Sequence, residues 1–387
     1  MIRKRLVKVH LWLGLCIGLL WAVQGLTGAL LVFHREADRL ALPAADPGPI
    51  ASLDLIVGRA SAAAGSRIER ISIIERHGDV LSAEYHDRAG ESRSVLLDSA
   101  SGRIVGRRDL EPNSPASGSF SQWLYLLHQS MLLGEDRDFP TGISGILLFA
   151  ASLIGIWIAW PRRGAWHSTF AWRRWRSTDQ RLYGWHRSVG LAAGLLLIVT
   201  VPCGIYLVFA GEVRPVLAKM VPHQLPYRAA PAAQPRASWI EPQSALSIAQ
   251  ARFPGAAFVS IAMPTPVSPV YAVRLRQARE SRLWAGVTSV TVNGANGAIA
   301  DVYDPLNAPL SNRIADLLFS IHNGEIAGLG GRLLVLLAGL SLPMLYAFGV
   351  ATWWRRRSRR KRKGAAAAQP GTGESSASIR EMERSSI

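Results

Sequence analysis

The chain has 387 residues, of which 49% are hydrophobic and 18% charged, too apolar a balance for a disordered chain and an unusual one for a soluble enzyme. Its net charge of +17 would suit a nucleic-acid partner. The basic residues instead flank apolar blocks: Arg3, Lys4, Arg5 and Lys8; Arg162, Arg163, Arg173, Arg174, Arg176 and Arg181; and Arg355 through Lys363. That is the positive-inside pattern of a protein set in an anionic bilayer, and it argues against nucleic acid.

In chain order, residues 1–34 read as a first membrane span, with an apolar block too long for the core of a cleaved leader peptide. Residues 35–119 form an outer polar module. Residues 120–161 hold a short outer helix and a second span, and 162–185 a basic loop. The third span is placed at 186–211, with Pro202 inside it. A second outer module follows at 212–310, then a helix start and fourth span at 311–356, containing Pro343. Prolines are tolerated in spans because neighbouring groups satisfy the freed backbone. Trp157, Trp160, Trp353 and Trp354 stand at span ends, where aromatic belts form. The tail, 357–387, turns Ala-, Gly- and Ser-rich from Gly364 and reads as disordered. The basic flanks place both termini and the middle loop in the cytoplasm and both modules outside. The expected fold class is a polytopic α-helical membrane protein of four spans with two small α+β outer modules.

The sequence repeats itself. Val9-His10-Leu11 opens the first span and Trp185-His186-Arg187 the third. Gly25-Leu26-Thr27-Gly28-Ala29-Leu30-Leu31-Val32-Phe33 resembles Cys203-Gly204-Ile205-Tyr206-Leu207-Val208-Phe209. Val95-Leu96-Leu97-Asp98 through Gly102-Arg103-Ile104 aligns with Val290-Thr291-Val292-Asn293 through Gly297-Ala298-Ile299, each a strand, a tight turn and a strand. A helical stretch precedes each, at 52–64 and 242–251. Trp123 through His128 matches Leu317 through His322.

Four of the nine histidines occupy matched positions, His10 with His186 and His128 with His322. An ionisable group at a span end is a functional candidate by default. If the halves face each other, each pair converges from opposite sides, and two imidazoles can supply both axial ligands of one haem iron. The expectation is two haems per chain, one near each leaflet, with Leu124 and Leu318 one turn before the outer ligands. His34 is a fifth candidate without a repeat partner, since Ala210 takes its place. His77, His86, His167 and His223 read as surface residues. Cys16 and Cys203 lie in apolar blocks, so no disulfide is expected, and no CxxCH is present to attach a c-type haem. Zinc would need three or four ligands at short spacing, such as HxxxH or CxxC, and neither pattern occurs.

There is no GxGxxG dinucleotide fingerprint in a strand-to-helix setting, no GxxxxGK[ST], no GxSxG and no HExxH. If the chain is an oxidoreductase, its electrons come from a separate donor, a cytoplasmic reductase or quinol.

The His-led first and third spans, the Leu-His before the second, the Ile-His-Asn-Gly before the fourth and the two strand-Asp/Asn-Gly-strand modules resemble the PepSY-associated membrane-helix proteins. The likeness covers about residues 1–357. It is closest in organisation to the FoxB-like and PiuB-like iron-regulated proteins. The resemblance implies a dihaem protein of the bacterial inner membrane, with PepSY-like modules in the periplasm, that reduces ferric siderophores or other ferric chelates there. It maps ligand histidines onto His10, His186, His128 and His322. The competing reading is an anchored PepSY protein that binds a partner without redox activity, for which paired histidines would be needless. A transporter is disfavoured, because Gln24 and Thr200 are the only notable polar residues at mid-span.

Overall fold

A computed structural model of the chain describes residues 1–42, 46, 48–74, 80–112, 114–115, 120–134, 138–171, 177–230, 239–282 and 285–367. His77, three arginines of the middle basic run (Arg173, Arg174, Arg176) and the tail beyond Ala367 lie outside these residues.

Three helices are long and apolar enough to cross a membrane: α6 (Phe139–Ala159), α8 (Thr178–Val208) and α12 (Gly328–Ala367). The first block is a bent pair, α1 (Ile2–Cys16) and α2 (Gly18–Leu31), turned through 65° at Ile17. Counted as one span, the pair makes a fourth. The bend is local to the Cys16-Ile17-Gly18 step, where the bare Gly18 Cα lets the Tyr346 ring of α12 approach; a Cβ would meet it at 2.7 Å. Pro202 and Pro343, by contrast, sit inside helices that run on through them. The outward faces are aliphatic, with Leu19, Leu30, Leu153, Val199 and Leu337 exposed, as suits a bilayer as solvent.

Small residues bring the helices together. A Cβ on Gly25 would lie 2.6 Å from the Gly339 carbonyl oxygen, so α2 and α12 cross backbone to backbone. Gly145 of α6 and Gly194 of α8 instead admit side chains of the facing helix, Ile205 and Ile156, at 3.0 and 2.8 Å from where a Cβ would stand. Trp21 closes the ring of helices, donating its indole N–H to the Ser144 hydroxyl of α6 at 3.1 Å.

Two boundaries differ from the sequence reading. Helix α8 starts at Thr178, inside the expected loop, because Ser177 and Gln180 form a reciprocal capping box. Helix α12 continues past residue 356 through the basic run to Ala367, where Asp179 of α8 pairs with Arg355 at 2.7 Å and Arg359 at 2.5 Å.

Helix α3 (His34–Ala41) leads from α2 to the first polar region. There α4 (Leu53–Ala64) and strands β1 (Arg70–Ile73), β2 (Val80–His86), β3 (Ser92–Asp98) and β4 (Ile104–Asp109) form a meander. Helix α5 (Phe120–Ser130) then leads into α6, and the short α7 (Trp166–Thr169) lies between α6 and α8. After α8 come α9 (Ala210–Met220), α10 (Pro242–Arg252), strands β5 (Ala257–Ala262), β6 (Val270–Arg276), β7 (Thr288–Asn293) and β8 (Ile299–Tyr303), and α11 (Leu310–His322) before α12.

The two regions are not separate modules. They share one eight-stranded sheet of order β4-β3-β2-β1-β5-β6-β7-β8, joined where β1 pairs antiparallel with β5, Ile71 opposite Ile261. Alternate residues Ile71, Leu81, Val95, Ile261, Val273 and Val290 pack against α4 and α10 in a common core. Each half carries the same turn. Asp98 and Asn293 accept from Gly102 N and Gly297 N through their backbone carbonyls, and both glycines have left-handed φ, 67° and 73°.

The Asp98 side chain accepts from Asp46 N, Ala100 N, Ser101 N and the Ser101 hydroxyl. Burial pushes this carboxyl up, but the hydrogen bonds from Asp46, Ser101 and Ala100 outweigh it and hold it below the usual range. A depressed native value means stabilisation that is full above the unfolded carboxyl value and is lost as pH falls through the native one. The melting temperature is therefore expected to fall on acidification below about pH 4, and Asp98→Asn should flatten that acid limb in a thermal scan.

At the sheet side of the helices, Arg332 of α12 is buried. It donates to the Val32 carbonyl at 2.7 Å, forms a bidentate pair with Glu36 at 2.7 and 2.8 Å, and lies 4.3 Å over the Phe33 ring. One guanidinium thus caps the last turn of α2 and ties it to α12. Arg332→Ala is expected to cost about 2 kcal/mol, read as a drop in melting temperature with spectra at the original temperature unchanged.

Candidate functional site

The four repeat-matched histidines meet in two pairs. The rings of His10 (α1) and His186 (α8) have centroids 6.2 Å apart, and those of His128 (α5) and His322 (α11) are also 6.2 Å apart. The first pair lies at the basic ends of the helices. The second lies at the sheet side, each member at the end of a short helix that descends from the sheet. Roughly 20 Å of α8 separates His186 from Thr200, whose carbonyl binds His322.

Each imidazole is held the same way. Nδ1 of His10 lies 3.1 Å from the Ala151 carbonyl, His186 3.0 Å from Leu345, His128 3.0 Å from Gln24 and His322 3.0 Å from Thr200. A carbonyl only accepts, so Nδ1 carries the proton and Nε2 keeps its lone pair in all four rings. Thr27 adds its hydroxyl 3.1 Å from His128 Nδ1. The mid-span polar residues Gln24 and Thr200 thus serve through their backbone carbonyls.

Opposite each ring stands a glycine. A Cβ on Gly28 or Gly204 would lie 2.8 Å from Cε1 of His128 or His322, one on Gly155 3.0 Å from His10, and one on Gly349 3.5 Å from His186. The contacts recur at constant spacing along the chain. His10, Gln24 and Gly28 map onto His186, Thr200 and Gly204, while His128, Ala151 and Gly155 map onto His322, Leu345 and Gly349. The glycines went unremarked in the sequence, although Gly28 and Gly204 stand in the aligned segments.

Two imidazoles on opposite faces of one metal, each bonded at about 2 Å, have ring centres about 6 Å apart, as both pairs here do. Among the described residues no group of three or more His, Cys, Asp or Glu could hold a bare ion. Each pair therefore offers two donors, the number left open by a metal already held in a planar macrocycle. Around His10 and His186 a cavity of about 660 Å³ is walled by Gly14, Gly18, Gly155, Gly190, Gly194, Trp21, Leu148 and Tyr346, and rimmed by Arg356, Arg357, Arg360 and Lys361. Glycine walls, an apolar interior and a cationic rim suit a flat, apolar ligand that bears acidic groups at one edge.

His34 joins neither pair. Its Nδ1 bonds the Leu31 carbonyl at 2.6 Å within its own turn, and it stacks on no other described histidine. His86 and His167 are exposed, and His86 pairs with Glu69. His223 is not the surface residue it reads as: it is half-buried, its Nδ1 3.0 Å from the Ser311 hydroxyl.

The family model of the PepSY-associated TM region matches residues 7–356, nearly the whole chain. The chain belongs to this family. Its membership agrees with the three or four membrane-length helices and makes it a membrane protein. The matched stretch takes in both histidine pairs, both glycine sets and the entire sheet of this PepSY-associated protein. No curated protein matches the chain.

Proposed function

We propose that the protein is a four-span b-type dihaem oxidoreductase of the bacterial inner membrane that reduces ferric siderophores, or other ferric chelates, on its periplasmic side. His10 with His186, and His128 with His322, would each hold one haem iron, giving two haems per chain. The observation that carries the reading is the pair of 6.2 Å imidazole contacts at opposite ends of α8, each ring bound through Nδ1 to a backbone carbonyl. When bound, such a haem supplies a reversible one-electron iron couple. The chain's own part is to fix the rings. The Nδ1–H bonds set tautomer and orientation and raise the basicity of Nε2. The glycines opposite let the walls close, and the apolar helices keep water out. Arg356, Arg357, Arg360 and Lys361 supply cations for acidic edge groups at the inner site.

The basic residues at the His10–His186 end support placing it, and both termini, in the cytoplasm, facing a reductase or quinol as donor. The sheet then lies in the periplasm. A siderophore binds Fe(III) through hard oxygen donors and Fe(II) far less well, so one electron delivered on that side releases the metal. The FoxB-like and PiuB-like organisation supports the same assignment.

The test is the optical spectrum and haem content of detergent-purified protein, oxidised and then dithionite-reduced. Two low-spin b-type haems per chain, oxidised on adding a ferric chelate, are expected. A folded protein from haem-replete cells without haem would leave an anchored PepSY binding protein instead.

A further inference from the structure

The seam between the two halves of the sheet is closed by the β1–β5 hydrogen bonds, so no ligand enters there. A cluster of arginines lies under the sheet. In register, Arg274 of β6 stands beside Ser289 of β7, which stands beside Tyr303 of β8, all on the face away from α10. Tyr303 donates its hydroxyl to Asp316 of α11 at 2.5 Å, which sets this face over α11. The Arg282 guanidinium lies 4.5 Å over the ring of Phe319, one turn before His322, and Ser281 meets Ser320 beside it at 3.4 Å. From the other side Arg214 of α9 reaches Tyr206 at 3.4 Å.

Two features mark this cluster as built for a ligand. Of the four buried side-chain polar atoms without a partner among the described residues, one, Arg282 Nε, belongs to it. A buried polar atom left unpaired is costly, so such an atom points to a missing partner. Cations also crowd one another there. Burial pulls the Arg282 guanidinium below its usual value; Arg274 and Arg214 add to that, and Asp316 and Glu325 oppose it. Burial likewise lowers Arg274, with Arg70 and Arg214 contributing. Burial pushes the Asp316 carboxyl up, and Glu280 adds to that.

We propose that this cluster, with Arg282 over Phe319 and Arg214 and Arg274 near it, binds the carboxylates of an anionic ferric chelate beside the His128–His322 pair. This rests on the reading of the chain as a ferric-chelate reductase and narrows its substrate to chelates of net negative charge. Planar guanidinium forks match carboxylates in pairs, whereas a neutral trihydroxamate complex offers them no charge. The same arginines could be reached by the carboxylate edge of a cofactor at the histidine pair, and the test separates the two sources.

The experiment is equilibrium dialysis of the full chain in phosphatidylcholine nanodiscs against gallium(III) citrate, which cannot be reduced, with a neutral gallium(III) trihydroxamate as control. Saturable citrate binding that weakens with salt is expected, and Arg274→Gln with Arg282→Gln should weaken it by at least about tenfold. Binding of the control and the haem content should not change. The proposal is overturned if wild type does not bind the citrate complex, if the double variant binds it equally well, or if that variant loses a haem instead. Should the double variant not fold, Arg282→Lys keeps the charge without the fork, and unchanged affinity there would count against the proposal. Citrate binding without any ferric reduction would leave the anion site standing and remove the reductase reading.

Discussion

His322→Ala is expected to leave one b-type haem per chain instead of two, and to lower ferric-chelate reduction by more than about 100-fold, since losing only an outer-shell partner of a ligand already costs 10–100-fold. The ring stands 6.2 Å from His128 with its Nδ1 committed to Thr200 and its Nε2 free. No other described histidine touches this pair, so nothing nearby can replace it. The remaining haem, on His10 and His186, should still be reduced by dithionite and by the physiological donor. His10→Ala is the mirror case: the sheet-side haem stays, and electrons from the donor no longer reach it. His34→Ala should change neither content nor rate, because that ring is turned back onto Leu31. Haem content and stopped-flow reoxidation by a ferric chelate decide all three. Two haems in both His322→Ala and His128→Ala would show that the ligands lie elsewhere.

What was legible in the sequence was whatever repeats or alternates. The matched histidines, the Asp98 and Asn293 turns with their glycines, and the helices before them could be read because local chemistry fixes them: a left-handed turn needs Gly102 and Gly297, and an apolar run of span length has few alternatives. The features that escaped depend on partners far away in the chain. The bend at Ile17 is tied to Tyr346 packing on Gly18, more than 300 residues on. The fusion of the two modules hangs on β1 and β5 pairing across the intervening helices. Arg332 is buried by the end of α2 and by Glu36, about 300 residues earlier in the chain. His223 reads as a loop histidine because its burial comes from α11, 88 residues away. The early start of α8 is a different case: Ser177 and Gln180 are a local capping signal that stood in plain view inside a run otherwise dominated by charge.

The glycines opposite the rings allow the ligand assignment to be tested without touching a ligand. A Cβ at Gly204 would lie 2.8 Å from His322 Cε1, closer than carbon atoms pack. Gly204→Val must therefore push the imidazole away from Thr200 and off the axis it shares with His128. It is expected to lose the same haem as His322→Ala, although every histidine remains in the chain. Gly28→Val should do so from the other side, where a Cβ would meet His128 at the same 2.8 Å. At the basic end the clearances differ, and so should the outcomes. Gly349→Ala would place its Cβ at 3.5 Å from His186, an ordinary contact, and both haems should survive, with a small gain of about 1 kcal/mol in helix propensity. Gly155→Ala, at 3.0 Å from His10, should keep its haem but shift its potential or axial-ligand spectrum as the ring gives way. A merely structural role for these glycines predicts something else: loss of stability that follows side-chain volume at all four positions, with haem content falling only as the protein unfolds. Haem content measured on the folded fraction alone, set against melting temperature, separates the two. Four variants that keep two haems while losing stability in step would mean that the rings sit beside these glycines for packing and that the iron is bound elsewhere.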